Sequence, residues 1–311
     1  MSQQNNKRQI VKIIKEICTE QNISCTPFSY DWILQLRKNE QIGYIYGYKF
    51  NVNSSASAMI CDDKCATSEI LQNAGIPVVE HHFYMSPSNI QYVGESGNWS
   101  RLIAYLQKHK KIVCKANEGT GGNAVYLVEN QFQLEEAAHQ IFNHTRAMAV
   151  SPYYNITKEY RAIILAGEVK LLYSKNIPFV VGDGKSTVHA LLLQYMSDNN
   201  CFIESDAIDN TILSCGQEYR IGWKFNLDKG AIPQILPDGD KKTKLTELAI
   251  KAANSLSVTF ASVDIIETGD EMRILEVNSG IMMEKFIQAA PENYAIAKGI
   301  YQQAIEMMIE Q

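Results

Sequence analysis

The chain has 311 residues, 46% hydrophobic and 20% charged, enough for about two ordinary domains with a sizeable buried core. A net charge of −5 argues against a nucleic-acid binder, which normally carries a basic surface excess. No apolar run reaches the roughly 18 residues needed to span a bilayer, and Met1–Arg8 has no apolar signal-peptide core, so the expectation is a soluble, cytoplasmic protein without membrane or nucleic-acid partners.

Ile10, Ile13, Ile14 and Ile17 give a first amphipathic helix. Residues 42–50 are aromatic and strand-like, and the Tyr44, Tyr46, Tyr48 stripe is expected to serve packing. Asp62-Asp63-Lys64 opens a helix carrying Ile70, Leu71 and Ala74, which Gly75 and Pro77 stop. A strand over Val78–Tyr84 follows, then a helix over 98–108, a strand over Lys111–Lys115, a strand over Val125–Val128 and a helix over Phe132–Ile141. Tyr160–Leu165 and Val169–Tyr173, joined by Ala166-Gly167-Glu168, form a hairpin. Residues 185–225 are a long mixed stretch with one helical patch, the kind of connection that usually serves function. A helix over 242–256, a hairpin with strands at Ala261–Ile266 and Ile274–Asn278, and a helix from about Pro291 to Met308 complete the chain. Helices and hairpins alternate without regular βαβ spacing, which predicts an α+β fold.

The seven cysteines are scattered and odd in number, unlike a disulfide scaffold, and Cys61 and Cys65 read as thiols flanking a helix. His81-His82 lack a third ligand at metal spacing. Gly182-Asp-Gly-Lys-Ser-Thr187 is not a P-loop, because Phe179 stands where that pattern needs glycine; it reads as a turn capping the next helix.

Three groups of residues carry chemistry. Lys115 ends an apolar strand beside Gly119, Gly121 and Gly122, and glycine lets backbone N–H groups approach phosphate oxygens; a flexible surface turn is the alternative. Glu159 and Arg161 share one strand face, which suits ribose and phosphate or a plain cross-strand ion pair. Asp264 stands among Val263, Ile265 and Ile266, while Glu276 and Asn278 alternate around Val277. A hairpin brings Asp264 opposite that pair, giving either a hard-oxygen cluster suited to Mg²⁺ or a solvated polar face.

In this order the motifs resemble the ATP-grasp superfamily, specifically its carboxylate–amine ligases, over roughly residues 60–290. The likeness is to cyanophycin synthetase, glutathione synthetase and the ribosomal protein S6 glutamate ligase. Asp63-Lys64 with Ala74-Gly-Ile-Pro77 is similar to the family's "DK…AGIP" stretch, Ile112-Val-Cys-Lys115 with the glycine loop to its second lysine and mobile loop, and Glu159-Tyr-Arg161 to its "E/D-Y-R" strand. Val180–Thr187 and Asn226–Gly230 are similar to segments of cyanophycin-synthetase-like members.

The resemblance implies an ATP-grasp fold: a reduced N-terminal α/β segment over 1–60, then two α+β subdomains over 61–150 and 151–311 that clamp ATP. It implies nucleotide contacts from Lys64, Lys115, Gly119, Thr120, Gly121, Gly122, Tyr153 and Glu159, and catalytic roles for Arg161 and Lys175. Mg²⁺, or Mn²⁺ in its place, would sit on Asp264, Glu276 and Asn278. The implied activity is ATP-dependent ligation of an amino acid or peptide carboxylate to an amine through an acyl phosphate. A non-ligating ATP-binding subunit and an ATP-grasp kinase are the alternatives, and homo-oligomerisation stays open. The hinge Ala149-Val-Ser-Pro-Tyr153 lacks the family's usual acidic residue, so adenine contacts would be mainly backbone, and Asn278-Ser-Gly-Ile-Met282 departs from the usual "NxxPG".

Overall fold

The computed structural model describes residues 8–92, 94–119, 124–198, 203, 209–220, 225–227 and 230–309. Helix α1 (Gln9–Glu20) lies against a four-stranded antiparallel sheet of β1 (Ser24–Phe28), β2 (Ile33–Lys38), β3 (Gln41–Tyr46) and β4 (Lys49–Phe50). The isoleucine stripe of α1 is fully buried, as its helical spacing demands. The expected strand over 42–50 is instead two, because Gly47 takes φ 62 and turns the chain. Tyr44 and Tyr46 are exposed on the outer face of this sheet, so the packing expectation fails for them; only Tyr48 rests against the core.

Helices α2 (Ser55–Asp62) and α3 (Lys64–Asn73) follow, and Asp63 caps α3 by accepting from the Ala66 N–H. Next come β5 (His82–Met85), α4 (Trp99–His109), β6 (Ile112–Ala116), β7 (Val125–Val128), α5 (Gln131–Phe142) and β8 (Ala147–Pro152). Their sheet has the order β5-β8-β6-β7. The expected strand at Val78 starts later, at His82, because Pro77–Val79 is drawn away to pair with Ile274: Val79 N–H donates to the Ile274 carbonyl at 2.8 Å.

The remaining elements are β9 (Lys158–Leu165), β10 (Glu168–Asn176), β11 (Phe179–Val181), α6 (Val188–Asp198), β12 (Glu218–Arg220), β13 (Ile232–Ile235), α7 (Asp240–Ser255), β14 (Phe260–Thr268), β15 (Glu271–Asn278), α8 (Glu284–Ala289) and α9 (Glu292–Ile309). The central five-stranded sheet runs β13-β10-β9-β14-β15, and β11 pairs with β12. The Thr187 hydroxyl accepts from Ala190 N–H at the start of α6, the capping role expected of that turn.

The central sheet is covered on both faces. Tyr160, Ala162, Ile164, Val263, Ile265 and Val277 pack with α7 on one face. Ile163, Leu165, Tyr173 and Phe260 meet α1, α8, α9 and the N-terminal sheet on the other. Period-two alternation makes each strand feed two cores. Past Ile163 and Tyr173 the second face turns from apolar to charged, and the candidate site begins there.

Candidate active site

The β9–β10 hairpin sets Lys175 opposite Glu159 and Tyr173 opposite Arg161, while β14 sets Asp264 opposite Arg161. Cross-strand partners share a face, so these side chains converge. Arg161 donates from Nε to Asp264 Oδ1 and from Nη2 to Oδ2, both at 2.6 Å. Lys175 Nζ donates to Glu159 Oε1 at 2.5 Å and to Asp264 Oδ2 at 2.9 Å. Two cations and two anions thus form a closed, charge-balanced array, with Asp264 only 1% exposed.

The electrostatics follow from burial and pairing. Burial pushes the Asp264 carboxyl up, but Arg161 and Lys175 outweigh it and hold the group well below the usual carboxylate range. Burial pushes Glu159 up to about 7, with Lys175 only partly offsetting it. Burial pulls Lys175 down, yet the facing carboxylates leave it raised.

Glu276 reaches this face through a β-bulge. Ile265 pairs with Ile274, yet Asp264 pairs with Glu276, so Leu275 is the extra residue. The bulge re-aims the strand: Ile274 serves the α7 core while Glu276 faces the charged array. Asn278 follows on the same side and donates from Nδ2 to Glu276 Oε1 at 3.2 Å.

Lys115 on β6 and Lys64 at the start of α3 form the opposing wall. Lys115 is buried, and burial lowers its ammonium to about 8 although Glu276 partly restores it. Lys64 Nζ donates to the carbonyls of Gly119 at 2.8 Å and Asn117 at 3.3 Å, tying α3 to the strand exit. A narrow cleft bounded by Lys64, Gly119, Glu276 and Asn278 lies between these walls. Thr120, Gly121 and Gly122 of the expected loop lie outside the described residues.

Tyr153 is at the far end of β8, its N–H donating to the Lys111 carbonyl at 3.0 Å and its ring under Lys111 Nζ at 4.4 Å. The hinge backbone is not uniformly available. Met148–Val150 are flanked by β5 and β6, but β5 begins only opposite Val150, so Ser151 and Pro152 pair with β6 alone.

The structure therefore gathers Arg161, Lys175, Glu159 and Asp264 tightly, sets Glu276 and Asn278 beside them, and places Lys64 and Lys115 across the cleft. It does not leave Asp264 free, because Arg161 and Lys175 occupy both its oxygens. Among the described residues no three His, Cys, Asp or Glu side chains converge as a metal site. The oxygens of Asp264, Glu276 and Asn278 are nonetheless the donor type that Mg²⁺ prefers, and they fit it if Asp264 yields one oxygen.

Sequence reasoning missed His81. It is 4% exposed beside Lys115 and Lys64, and burial first, then the two lysines, pulls its imidazole well below the usual range. Neighbouring His82 points the other way and pairs with Glu80 at 2.8 Å. Nothing local in the sequence separates the two, because only the tertiary packing decides which histidine is inside. Cys61 and Cys65 are both buried, with burial pushing their thiols up, which leaves them inert.

Residues 185–300 match the model of the RimK-like ATP-grasp domain. The chain is 23% identical over 265 residues to the glutamate–LysW ligase ArgX of Sulfolobus acidocaldarius, covering 80% of this chain and 73% of that protein. It is 21% identical over 302 residues to the glutathione biosynthesis bifunctional protein GshAB of Clostridium perfringens, covering 89% of this chain and 37% of the relative. Its fold superposes on a bifunctional glutathione synthetase from Pasteurella multocida with a TM-score of 0.56 at 16% identity, covering 96% of this chain and 44% of the other. The chain thus spans less than half the length of the two bifunctional proteins.

Proposed function

We propose that this chain, whose residues 185–300 match the RimK-like ATP-grasp domain, is a carboxylate–amine ligase of the ATP-grasp type that uses ATP to activate a carboxylate as an acyl phosphate and joins it to an amine. The observation that carries this reading is the buried array of Glu159, Arg161, Lys175 and Asp264, with Glu276 and Asn278 beside it and Lys115 on the opposing wall. A carboxylate is a poor electrophile at neutral pH, and phosphorylation supplies a leaving group. Phosphoryl transfer asks the protein mainly for positioning and charge neutralisation. Lys64, Lys115 and Lys175 neutralise phosphoryl oxygens. Arg161 stabilises the oxyanion that forms when the amine attacks, a contribution typically worth about 10²–10³ in rate.

Asp264, Glu276 and Asn278 would hold Mg²⁺, or Mn²⁺, which screens phosphate charge when bound. Glu159 takes the ribose, and the backbone of Ser151–Tyr153 takes the adenine. Gly119 lines the cleft on the side where the phosphates would lie. The substrates are an amino acid or short peptide and an amine; the protein works in the cytoplasm, and self-association is an open part of this reading.

A second reading, an ATP-binding subunit that does not ligate, is favoured by one observation: both oxygens of Asp264 are held by cations of the chain itself. One experiment separates the two. Mg-ATP, pooled amino acids and peptides, and hydroxylamine as a trap should yield a hydroxamate with particular carboxylates only. Nucleotide binding without ADP release across all pools would reject ligation of small substrates.

A further inference from the structure

We propose that Cys18 and Cys25 are a redox modification site that closes reversibly to a disulfide, with a low-molecular-weight disulfide as oxidant. Cys18 lies in the last turn of α1 and Cys25 near the start of β1. The chain reverses between them through Asn22 at φ 55, and Ile23 N–H donates to the Cys18 carbonyl at 2.8 Å. Cys25 pairs with Leu36, a core residue, so its side chain points toward α1. Both sulfurs reach the same apolar cluster, and each thiol is the largest single influence on the other's proton.

The pair is asymmetric in the way thiol–disulfide exchange requires. Cys18 is 2% exposed, whereas Cys25 is half-buried and reachable from solvent. Cys18, with Lys15 nearby, lowers the Cys25 thiol against the opposing effect of burial and Asp31. Cys25, together with burial, raises Cys18. Cys25 is therefore the attacking thiolate and Cys18 the resolving thiol.

The chemistry balances. The Cys25 thiolate attacks one sulfur of the small disulfide, that S–S bond breaks, and one small thiolate leaves. Cys18, after losing its proton to solvent, attacks the Cys25 sulfur of the mixed disulfide and expels the second small thiolate. The chain gives up two electrons and two protons, and the oxidant becomes two thiols. Cys61, Cys65 and Cys114 are buried, with thiols raised chiefly by burial, so they do not compete, and exposed Cys215 takes up any adduct of its own on a separate digest fragment.

The test uses the full native chain and oxidised glutathione, followed by alkylation and digestion with a glutamate-specific protease. Cleavage after Glu20 separates Cys18 from Cys25. The expected product is a linked pair of fragments from either side of Glu20, lighter by two hydrogens than the two fragments together, that separates when dithiothreitol is added. Cys18→Ala should stop at a glutathione adduct on Cys25, and Cys25→Ala should leave Cys18 unmodified. A wild-type chain that keeps both thiols alkylatable, or that carries a stable adduct on Cys25 without linkage, would overturn the proposal. The wild-type digest decides alone if a variant fails to fold.

Discussion

Arg161 grips Asp264 with two parallel hydrogen bonds of 2.6 Å, in a position where the carboxylate is almost sealed from water. Bidentate geometry makes this one of the stronger pairings available to two side chains. Lys175 completes the neutralisation and links Asp264 to Glu159. The array costs desolvation, so its members depend on one another.

Removing one member should therefore do more harm than removing a pair. Asp264→Asn removes the carboxylate that both buried cations hold and should destabilise the fold by about 3–5 kcal/mol. Arg161→Met combined with Asp264→Leu should recover most of that loss while leaving no ligation. Urea denaturation of the two variants checks the ordering, and a single substitution no worse than the double one would contradict the buried-pair account.

Lys115 gives a pH dependence with a definite sign. Its folded value is lowered to about 8 from an ordinary 10.5. Between those values the unfolded chain binds the proton more than the folded one, so this group's contribution to stability rises as pH climbs from 8 to 10.5. At pH 7 the buried ammonium is a cost. Lys115→Met should then stabilise the fold at pH 7 by up to about 3 kcal/mol, the free-energy equivalent of such a shift, with the gain shrinking by pH 10, while nucleotide affinity falls. Thermal melts at the two pH values, paired with nucleotide titrations, test it.

Glu276 is aimed into the site only by the bulge at Leu275. Glu276→Gln keeps its size and its contact with Asn278 but loses the charge. Turnover at a fixed Mg²⁺ concentration should fall about 10²-fold or more, with half-saturation by Mg²⁺ moved upward and the melting temperature nearly unchanged. A Mg²⁺ titration of the variant that overlays the wild type would remove Glu276 from the metal set.

Asn53 fastens the N-terminal unit to the central sheet. Its Nδ2 donates to the Phe260 carbonyl at 2.7 Å, and its Oδ1 accepts from the N–H groups of Thr259 and Phe260 at 2.8 and 3.0 Å. Asn53→Ala strands these backbone groups and should cost about 1–3 kcal/mol. Amide hydrogen exchange should then rise at Thr259, Phe260 and along α1, and an unchanged exchange pattern would show that the unit is held without Asn53.

The sequence by itself determined the short-range facts. The isoleucine spacing made α1, the Gly75 stop ended α3, and alternation put Glu159 with Arg161 and Glu276 with Asn278 on common faces, because these follow from backbone periods within one segment. It also carried the resemblance to ATP-grasp ligases, through the order of the lysines and of Asp264, Glu276 and Asn278. Tertiary structure decided the rest. The placing of β9 between β10 and β14 turned separate charges into one array, and the bulge at Leu275 gave Glu276 to the site instead of the α7 core. Burial of two apolar faces selected that register over all others, and pairings between strands about 95–110 residues apart, such as Arg161 with Asp264, leave no trace in any local window.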